Sequence, residues 1–229
     1  MKNGDTNQPG WTEVKRRYEA KMGRWQMDKF SFFNADNGHQ SCVMSNDDVV
    51  IVVFRGSEPM LTPAGKLDWL ADLNIAPNLS LGGATAVHNG FYLALDSRYQ
   101  QIQNAVVEHG GKNKQVFLTG HSLGGAMAVL CAYRLQEKAK IDVYGVYTYG
   151  CPRIGNLQFF LAWGNAGLGP RSWMVRNVAD VVAQIVPTPP FKHVGGVKMY
   201  SLGHSMLNYA RAIYDTIPGG NRPRMPARP

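Results

Sequence analysis

The sequence predicts an α/β fold with a single, mostly parallel central sheet flanked by helices. Segments typical of strands alternate with segments typical of helices along most of the 229 residues. The run Val49–Phe54 reads VVIVVF and is apolar on both faces, as a strand covered by helices on both sides would be. An apolar strand at residues 115–119 leads directly into a glycine-rich turn and then a helix. These three observations favour one α/β domain.

The individual elements follow from periodicity and from turn residues. A first helix is predicted at residues 11–25, because Val14, Tyr18 and Met22 are spaced four apart on one face. Strands are predicted where β-branched and aromatic residues lie between turn residues, at residues 41–44, 49–54, 115–119, 143–149, 173–178 and 196–202. Further helices are predicted at residues 67–73, 93–107, 126–138, 157–163 and 204–214.

The domain organisation is expected to be simple. No repeat and no linker divides residues 1–216, which we predict to form one domain. Residues 217–229 are rich in Pro, Gly and Arg, and this composition predicts a disordered basic tail.

Composition excludes several classes of protein. Hydrophobic residues make up 45% of the chain and charged residues 17%, which argues against a disordered chain or a coiled coil. The longest apolar runs are far shorter than the roughly 20 residues that cross a bilayer, so we expect a soluble protein. The N-terminal residues of the sequence as given contain no apolar segment of a secretory signal, which favours the cytoplasm or another route of export.

Charge and cysteine content limit the expected partners. The formal net charge is +8, yet no block of five like charges and no aromatic–basic alternation indicates nucleic-acid binding. A solvated basic surface is one interpretation, and attraction to anionic lipid is the other. Three cysteines without metal-ligand spacing predict buried free thiols, no metal and no cofactor. Nothing in the pattern indicates an oligomeric state.

The candidate nucleophile is Ser122, at the centre of Gly120-His121-Ser122-Leu123-Gly124. This G-x-S-x-G pattern is unspecific alone, but here a strand runs into it and a helix runs out of it. A turn this tight needs neighbours without side chains and lifts the serine hydroxyl above the sheet. The helix N-terminus that follows can stabilise an oxyanion.

A serine nucleophile needs a histidine base, which in turn needs a carboxylate. In hydrolases with this turn, the chain order is Ser, acid, His. Asp180 follows a predicted strand at the carboxyl end, where sites of open α/β sheets collect, and His204 follows the next strand. Position therefore predicts the triad Ser122, Asp180 and His204. His193, in a Pro-rich loop, is the rival base on position alone.

Several separated motifs resemble the fungal-type class 3 lipases, a family of α/β-hydrolases. The resemblance extends over most of the chain, in the family's order. It is carried by IVVFRGS (51–57), DWLADL (68–73), VHNGFYLAL (87–95), GHSLGGAMAVL (120–130), TYGCPRIGN (148–156), RNVADVVAQIVP (176–187), FKHVG (191–195) and HSMLNY (204–209).

The resemblance assigns roles to individual residues. It places the acid on Asp180 and the base on His204, and it gives His193 a structural role. It places the oxyanion residue on Ser57, whose backbone N–H and hydroxyl would act together with the N–H of Leu123.

Fungal members of the family carry a mobile lid between the oxyanion residue and the W-x-x-D tryptophan. The corresponding stretch here is residues 58–68, EPMLTPAGKLD, whose apolar content includes Met60 and Leu61. Either this stretch is an ordinary surface loop, or it is a lid that exposes apolar surface at a lipid interface.

These observations together predict a metal-free serine ester hydrolase, with acylglycerols as substrate and transient binding to a lipid–water interface. Phospholipase A1 and feruloyl-type esterase activities on the same triad are the enzymatic alternatives. A membrane-surface binding module without activity is the alternative from a different class.

Overall fold

The computed structural model describes residues 16, 21–23, 25–34, 39–56, 76–177, 180, 182, 186 and 190–200. Residues 197–200 are described by their backbone only. Its main feature is a seven-stranded sheet in the order β1-β2-β3-β6-β7-β8-β9. The strands are β1 (Lys29–Asn34), β2 (Gln40–Ser45), β3 (Val49–Phe54), β6 (Gln115–His121), β7 (Val143–Tyr149), β8 (Ser172–Asn177) and β9 (Gly196–Tyr200). A separate two-stranded ribbon pairs β4 (Pro77–Asn78) with β5 (Val87–His88).

The sheet is antiparallel at one edge and parallel from β3 onward. β1 pairs with β2 and β2 with β3 in antiparallel fashion, whereas β3, β6, β7, β8 and β9 pair in parallel. Parallel strands need crossover connections, and helices provide these. The sheet is therefore mostly parallel, as predicted, and the carboxyl ends of β3, β6, β7 and β8 meet at one edge.

Three helices cover one face of this sheet. They are α1 (Asn89–Glu108), α2 (Leu123–Glu137) and α3 (Leu157–Asn165). α2 lies centrally, and all of its residues except Arg134, Gln136 and Glu137 are buried. The main core lies between these helices and the sheet, with Phe91, Leu95, Leu118, Leu130, Phe159 and Trp163 among its largest side chains.

The second face of the sheet is covered less completely by the described residues. In β3, Val50, Val52 and Phe54 are buried in the main core, whereas Ile51 and Val53 pack partly buried against a smaller cluster of Phe32, Cys42 and Met44. The prediction of a strand covered by helices on both sides is thus met on the face of the main core, whereas Ile51 and Val53 on the other face are only partly buried. Across β6–β8 the second face carries a row of aromatic rings in contact, comprising Phe117, Tyr144, Tyr147 and Trp173.

Most predicted elements are present, with shifted ends. The helix predicted at residues 93–107 begins four residues earlier, at Asn89, and the helix predicted from residue 126 begins at Leu123. β1 was not predicted at all. The predictions for residues 67–73, 204–214, the lid stretch and the tail lie outside the described residues, as does most of the predicted first helix.

One further expectation is met by described residues. Cys42, Cys131 and Cys151 are buried free thiols, and burial raises the pKa of Cys42 and of Cys131 to about 12. Among the helices that the structure describes, none is long and apolar enough to cross a membrane.

Candidate active site

Ser122 lies at the sharp junction between β6 and α2. β6 ends at His121 and α2 begins at Leu123, so a single residue makes the turn from strand to helix. Its dihedrals are φ 58° and ψ −127°, a region that a residue with a Cβ rarely adopts. The backbone N–H of Ser122 donates to the carbonyl of Tyr149 at 2.9 Å, and the serine side chain makes no capping hydrogen bond to α2. The hydroxyl is therefore not used to cap the helix that it precedes.

The glycines around Ser122 are required by close packing of the backbone. A Cβ on Gly120 would lie 2.2 Å from the carbonyl oxygen of Gly124, and a Cβ on Gly124 would lie 2.3 Å from the carbonyl oxygen of Phe54. Backbone atoms cannot move aside as the end of a flexible side chain can. The turn is thus held between β3 on one side and the first turn of α2 on the other.

The end of β3 approaches Ser122 from the side where an oxyanion residue is expected. A Cβ on Gly56 would lie 2.7 Å from the carbonyl oxygen of His121 and 3.3 Å from the Cβ of Ser122. Ser57 follows Gly56 directly but lies outside the described residues. Leu123 is buried and is the first residue of α2, where a backbone N–H has no partner within the helix. Gly56 thus lies against Ser122, and Leu123 follows Ser122 directly in the chain.

The predicted acid, Asp180, is completely buried just beyond the carboxyl end of β8. Its backbone N–H donates to the carbonyl of Asn177 at 3.1 Å, which ties it to the last residue of the strand. Its carboxylate oxygen Oδ1 accepts a hydrogen bond from the N–H of Val182 at 3.0 Å. A carboxylate held by a backbone N–H has a defined direction, as an orienting group needs.

Of the two candidate bases, only His193 lies among the described residues. His204 lies outside the described residues. His193 lies in a described segment that is fixed by its neighbours, because Phe191 and Val194 are buried in the main core and Lys192 pairs by its backbone with residues 154 and 155. The structural role that the resemblance gives His193 stays a prediction.

The segment 150–156 connects the parts of the site. Cys151 lies against the turn, because a Cβ on Gly125 would be 3.0 Å from the Cβ of Cys151. Nη1 of Arg153 donates to the carbonyl of Val186, in the stretch that follows Asp180, at 2.6 Å. Oδ1 of Asn156 accepts from the N–H groups of Ala86 and Phe159. The sequence analysis quoted this segment only as a family motif, and its role as a connector was missed.

Two other acids that follow Ser122 in the chain, Asp142 and Glu137, lie away from the turn. Asp142 directly precedes β7, at the amino edge of the sheet, where its Oδ1 accepts from Nη1 of Arg171 at 2.7 Å. Glu137 is the last residue of α2, and Oε2 of Glu137 lies 3.9 Å from Nζ of Lys140. Within the described ranges, no group of three or more His, Cys, Asp or Glu side chains could hold a metal ion.

His88, in the motif VHNGF, is a buried histidine on the helix side of this region. Its ring stacks on Phe91, with 4.0 Å between the ring centroids, and lies 5.8 Å from that of Phe191. Burial lowers the pKa of His88 to about 4, although a backbone hydrogen bond partly opposes this effect. The neutral imidazole therefore packs as a flat aromatic ring between α1 and the segment around Phe191.

Comparison with known proteins decides the family. The family model described as "Lipase (class 3)" matches residues 51–189, which is more than half of the chain. The chain belongs to the class 3 lipase family.

Individual relatives agree with this assignment. The chain is 33% identical over 161 residues to a lipase of Rhizomucor miehei, covering 66% of this chain and 41% of that protein. It is 32% identical over 165 residues to phospholipase A1-Igamma2 of Arabidopsis thaliana, covering 58% of this chain and 30% of that protein. Thus less than half the length of either relative is matched.

A solved structure shares the fold. The lipase of Rhizomucor miehei in complex with its propeptide superposes with a TM-score of 0.67 at 25% identity, covering 77% of this chain and 57% of that one. The predicted α/β-hydrolase fold is confirmed by this similarity.

Proposed function

We propose that this protein is a serine ester hydrolase that cleaves acylglycerols through an acyl-enzyme. The observation that carries the proposal is the backbone of Ser122, whose dihedrals are strained at a strand-to-helix turn in a chain of the class 3 lipase family. Strain of this kind costs about 1–3 kcal/mol and persists where the surroundings enforce it. Here the serine hydroxyl makes no capping hydrogen bond to α2, and Ser122 lies at the carboxyl edge of the sheet.

Acylation is the first half of the reaction. Ser122 Oγ attacks the ester carbonyl carbon while its proton passes to the imidazole of His204, forming a tetrahedral intermediate with a negatively charged oxygen. Asp180 holds the imidazole in the correct tautomer and stabilises the imidazolium. The intermediate collapses as the C–O bond breaks, and the imidazolium gives its proton to the departing alcohol.

Deacylation repeats these steps with water. The imidazole of His204 takes a proton from water, the resulting hydroxide attacks the acyl carbon, and Ser122 leaves with the proton returned to it. The products are a carboxylic acid and the free enzyme, so neither a metal nor a cofactor is needed for the balance of the reaction.

The oxyanion is assigned to the N–H groups of Leu123 and Ser57, with the Ser57 hydroxyl. Support for Leu123 comes from its place as first residue of α2, where the helix dipole is positive. Support for Ser57 comes from Gly56, which lies against Ser122. Each donor of this kind contributes about 10²–10³ to kcat.

A second candidate activity is phospholipase A1, which is favoured by the identity to the Arabidopsis thaliana relative of that name. The same triad would cleave either ester. The two reactions differ only in the alcohol that leaves, which is a glyceride for a lipase and a lysophospholipid for phospholipase A1.

The test is a comparison of substrates under one set of conditions. Triolein emulsion, phosphatidylcholine vesicles and a feruloyl ester are offered separately, and released acid is titrated. The proposal predicts fastest turnover of triolein. Fastest release from phosphatidylcholine would instead establish the phospholipase activity, and turnover of the feruloyl ester alone would contradict both. Failure to hydrolyse any of them, or any p-nitrophenyl ester, would leave a binding module without activity.

A further inference from the structure

The outer face of helix α3 is apolar and uncharged, unlike that of an ordinary surface helix. Phe159 and Trp163, four residues apart, are buried, and the ring of Phe159 packs edge-on against Tyr133 of α2 with 5.3 Å between centroids. On the opposite side, Leu157, Phe160 and Leu161 are 45%, 42% and 53% exposed. Residues three and four apart lie on one face of a helix, so these three form one patch, here called the α3 patch.

A helix with one buried face normally carries polar and charged residues on the other. α1 carries polar and charged residues such as Asp96, Gln101 and Glu108 at most of its exposed positions, which also include Leu93 and Val107. α3 reads LQFFLAWGN and contains no charged residue. Three large apolar side chains that are half exposed on one short helix indicate contact with an apolar partner.

The stretch of chain that contains α3 carries basic residues but no acidic ones. Residues 143–179 contain Arg153, Arg171 and Arg176 and no Asp or Glu, although Arg171 is paired with Asp142 at 2.7 Å. Beside the first turn of α3 lies Lys192, which is exposed and whose backbone N–H donates to the carbonyl of Gly155 at 2.6 Å. An apolar patch next to cationic side chains, without carboxylates on the same helix, is complementary to a lipid surface with anionic headgroups.

The position of the patch relates it to the candidate active site. α3 starts shortly after the carboxyl end of β7, and residue 155 bridges to Val87 and to Lys192 at that edge. Ser122 lies at the same edge, at the end of the neighbouring strand β6. A lipid surface that contacts Leu157 therefore lies at the rim of the site.

From this geometry we infer that α3 is a docking helix, which inserts Leu157, Phe160 and Leu161 into the surface of an anionic lipid aggregate. The inference rests on the proposed function, because it explains how an acylglycerol or phospholipid aggregate is brought to Ser122. It names the physical form of the substrate, which is a negatively charged lipid–water interface.

The experiment measures binding separately from turnover. Ser122→Ala serves as the parent, so that vesicles stay intact, and sedimentation gives its partitioning onto vesicles of phosphatidylglycerol and phosphatidylcholine. Adding Leu161→Glu is expected to weaken partitioning about 30-fold, because a half-exposed leucine is lost and a negative charge meets the anionic surface. Adding Phe160→Ser together with Leu161→Ser is expected to weaken it about 100-fold.

The matched control is Val107→Glu in the same parent. Val107 is 40% exposed and lies near the far end of α1, away from the carboxyl edge. This variant is expected to bind vesicles within twofold of the parent. Melting temperatures of all variants check that they are folded.

Three results would overturn the inference. The first is undiminished binding by the two α3 variants, and the second is an equal loss in Val107→Glu. The third is a change of molar mass in solution on substitution of the α3 patch while vesicle binding is kept, which would make the patch a protein interface. If wild-type protein hydrolyses no ester, the proposed function fails, but the binding comparison of these variants remains readable.

Discussion

At the scale of single residues, Ser122 has strained backbone dihedrals and lies in a tightly packed turn. Its neighbours Gly120, Gly124 and Gly56 contact backbone atoms so closely that no side chain fits at any of them. Of these three, Gly56 is the one outside the G-x-S-x-G pattern, at the end of β3. It therefore allows a test of the oxyanion side of the site without changing the turn itself.

Replacing Gly56 with Ala is expected to lower kcat by about 10²–10³, the loss typical of one oxyanion donor. The new Cβ would lie 2.7 Å from the carbonyl oxygen of His121, so the chain carrying Ser57 must move away from Ser122. Turnover of p-nitrophenyl butyrate and the melting temperature are measured together. Gly164→Ala is the control, because nothing lies within 4 Å of a Cβ there, and alanine should add about 0.5–1 kcal/mol of stability. If Gly56→Ala keeps the wild-type kcat, the close contact of Gly56 with the Ser122 turn does not position an oxyanion donor.

The two histidines are separated by kinetics. His204→Ala is expected to lower kcat by about 10⁵–10⁶, because members of a triad act as a unit. His193→Ala is expected to lower the melting temperature and to keep most of the activity, since its segment is anchored in the core by Phe191 and Val194. If His193→Ala is folded and inactive while His204→Ala is active, the two roles must be exchanged.

His88 makes stability depend on pH. Its pKa is about 4 in the folded protein, compared with 6.5 for the unperturbed side chain. Between pH 6.5 and pH 4, His88 is protonated in the unfolded chain but stays neutral in the folded protein. The free energy of unfolding therefore decreases as pH falls from 6.5 toward 4. At pH 5 the loss from this group is about 2 kcal/mol. Urea unfolding at pH 7.5 and pH 5 should show a larger drop for wild type than for His88→Gln, and equal drops would contradict the assignment.

At the scale of elements, the segment 150–156 fixes the distances between parts of the site. It follows β7, packs on the turn through Cys151, and reaches the acid-bearing stretch through Arg153. It also begins α3 through Asn156, which caps that helix by accepting from the N–H of Phe159 at 3.0 Å. Its sequence GCPRIGN is therefore used for connection.

Arg153→Ala is expected to lower kcat by about 10- to 100-fold, because a hydrogen bond from a charged donor contributes roughly 1.5–3 kcal/mol. The bond from Nη1 to the carbonyl of Val186 holds the chain beyond Asp180. A displaced carboxylate stabilises the imidazolium less, so the acidic limb of the kcat/KM profile should move to lower pH. Arg153→Lys should recover part of the rate. A lowered melting temperature with an unchanged pH profile would show a purely structural role.

The elements also show where prediction from sequence succeeds. Strands rich in β-branched and aromatic residues, such as β3 and β7, were predicted with the bounds that the structure has, because their composition is decided by burial. β1 was missed, since KFSFFN has no clean alternation and buries the neighbouring Phe32 and Phe33 on opposite faces. The start of α1 was missed because Asn89 and Gly90 are poor helix formers, and tertiary contacts of Phe91 and Asn78 extend the helix over them.

The candidate site was predictable to a different degree at each residue. Ser122 and the proposed acid, Asp180, follow from local pattern and chain order, and the structure places each beyond the carboxyl end of its strand. The connecting roles of Gly56 and Arg153 depend on contacts between residues 30 to 70 positions apart. No local periodicity encodes such contacts, so only the assembled sheet reveals them.

At the scale of the whole molecule, one face of the sheet forms the core and one edge of the sheet carries the candidate site. One face is closed by α1, α2 and α3 around the main core, and one edge collects Ser122, Gly56 and Asp180 at the ends of parallel strands. The apolar α3 patch lies outside the helical layer and begins at that same edge. The architecture thus places Ser122, the proposed nucleophile, at the edge of the sheet where the α3 patch begins.

The most direct measurement is the turnover of p-nitrophenyl butyrate by wild type and by Ser122→Ala, each with its melting temperature. Removing the hydroxyl leaves the fold intact and removes the nucleophile, so kcat is predicted to fall by about 10⁶ with the melting temperature nearly unchanged. A folded Ser122→Ala variant that retains kcat within tenfold of wild type would contradict the assignment of Ser122 as the nucleophile.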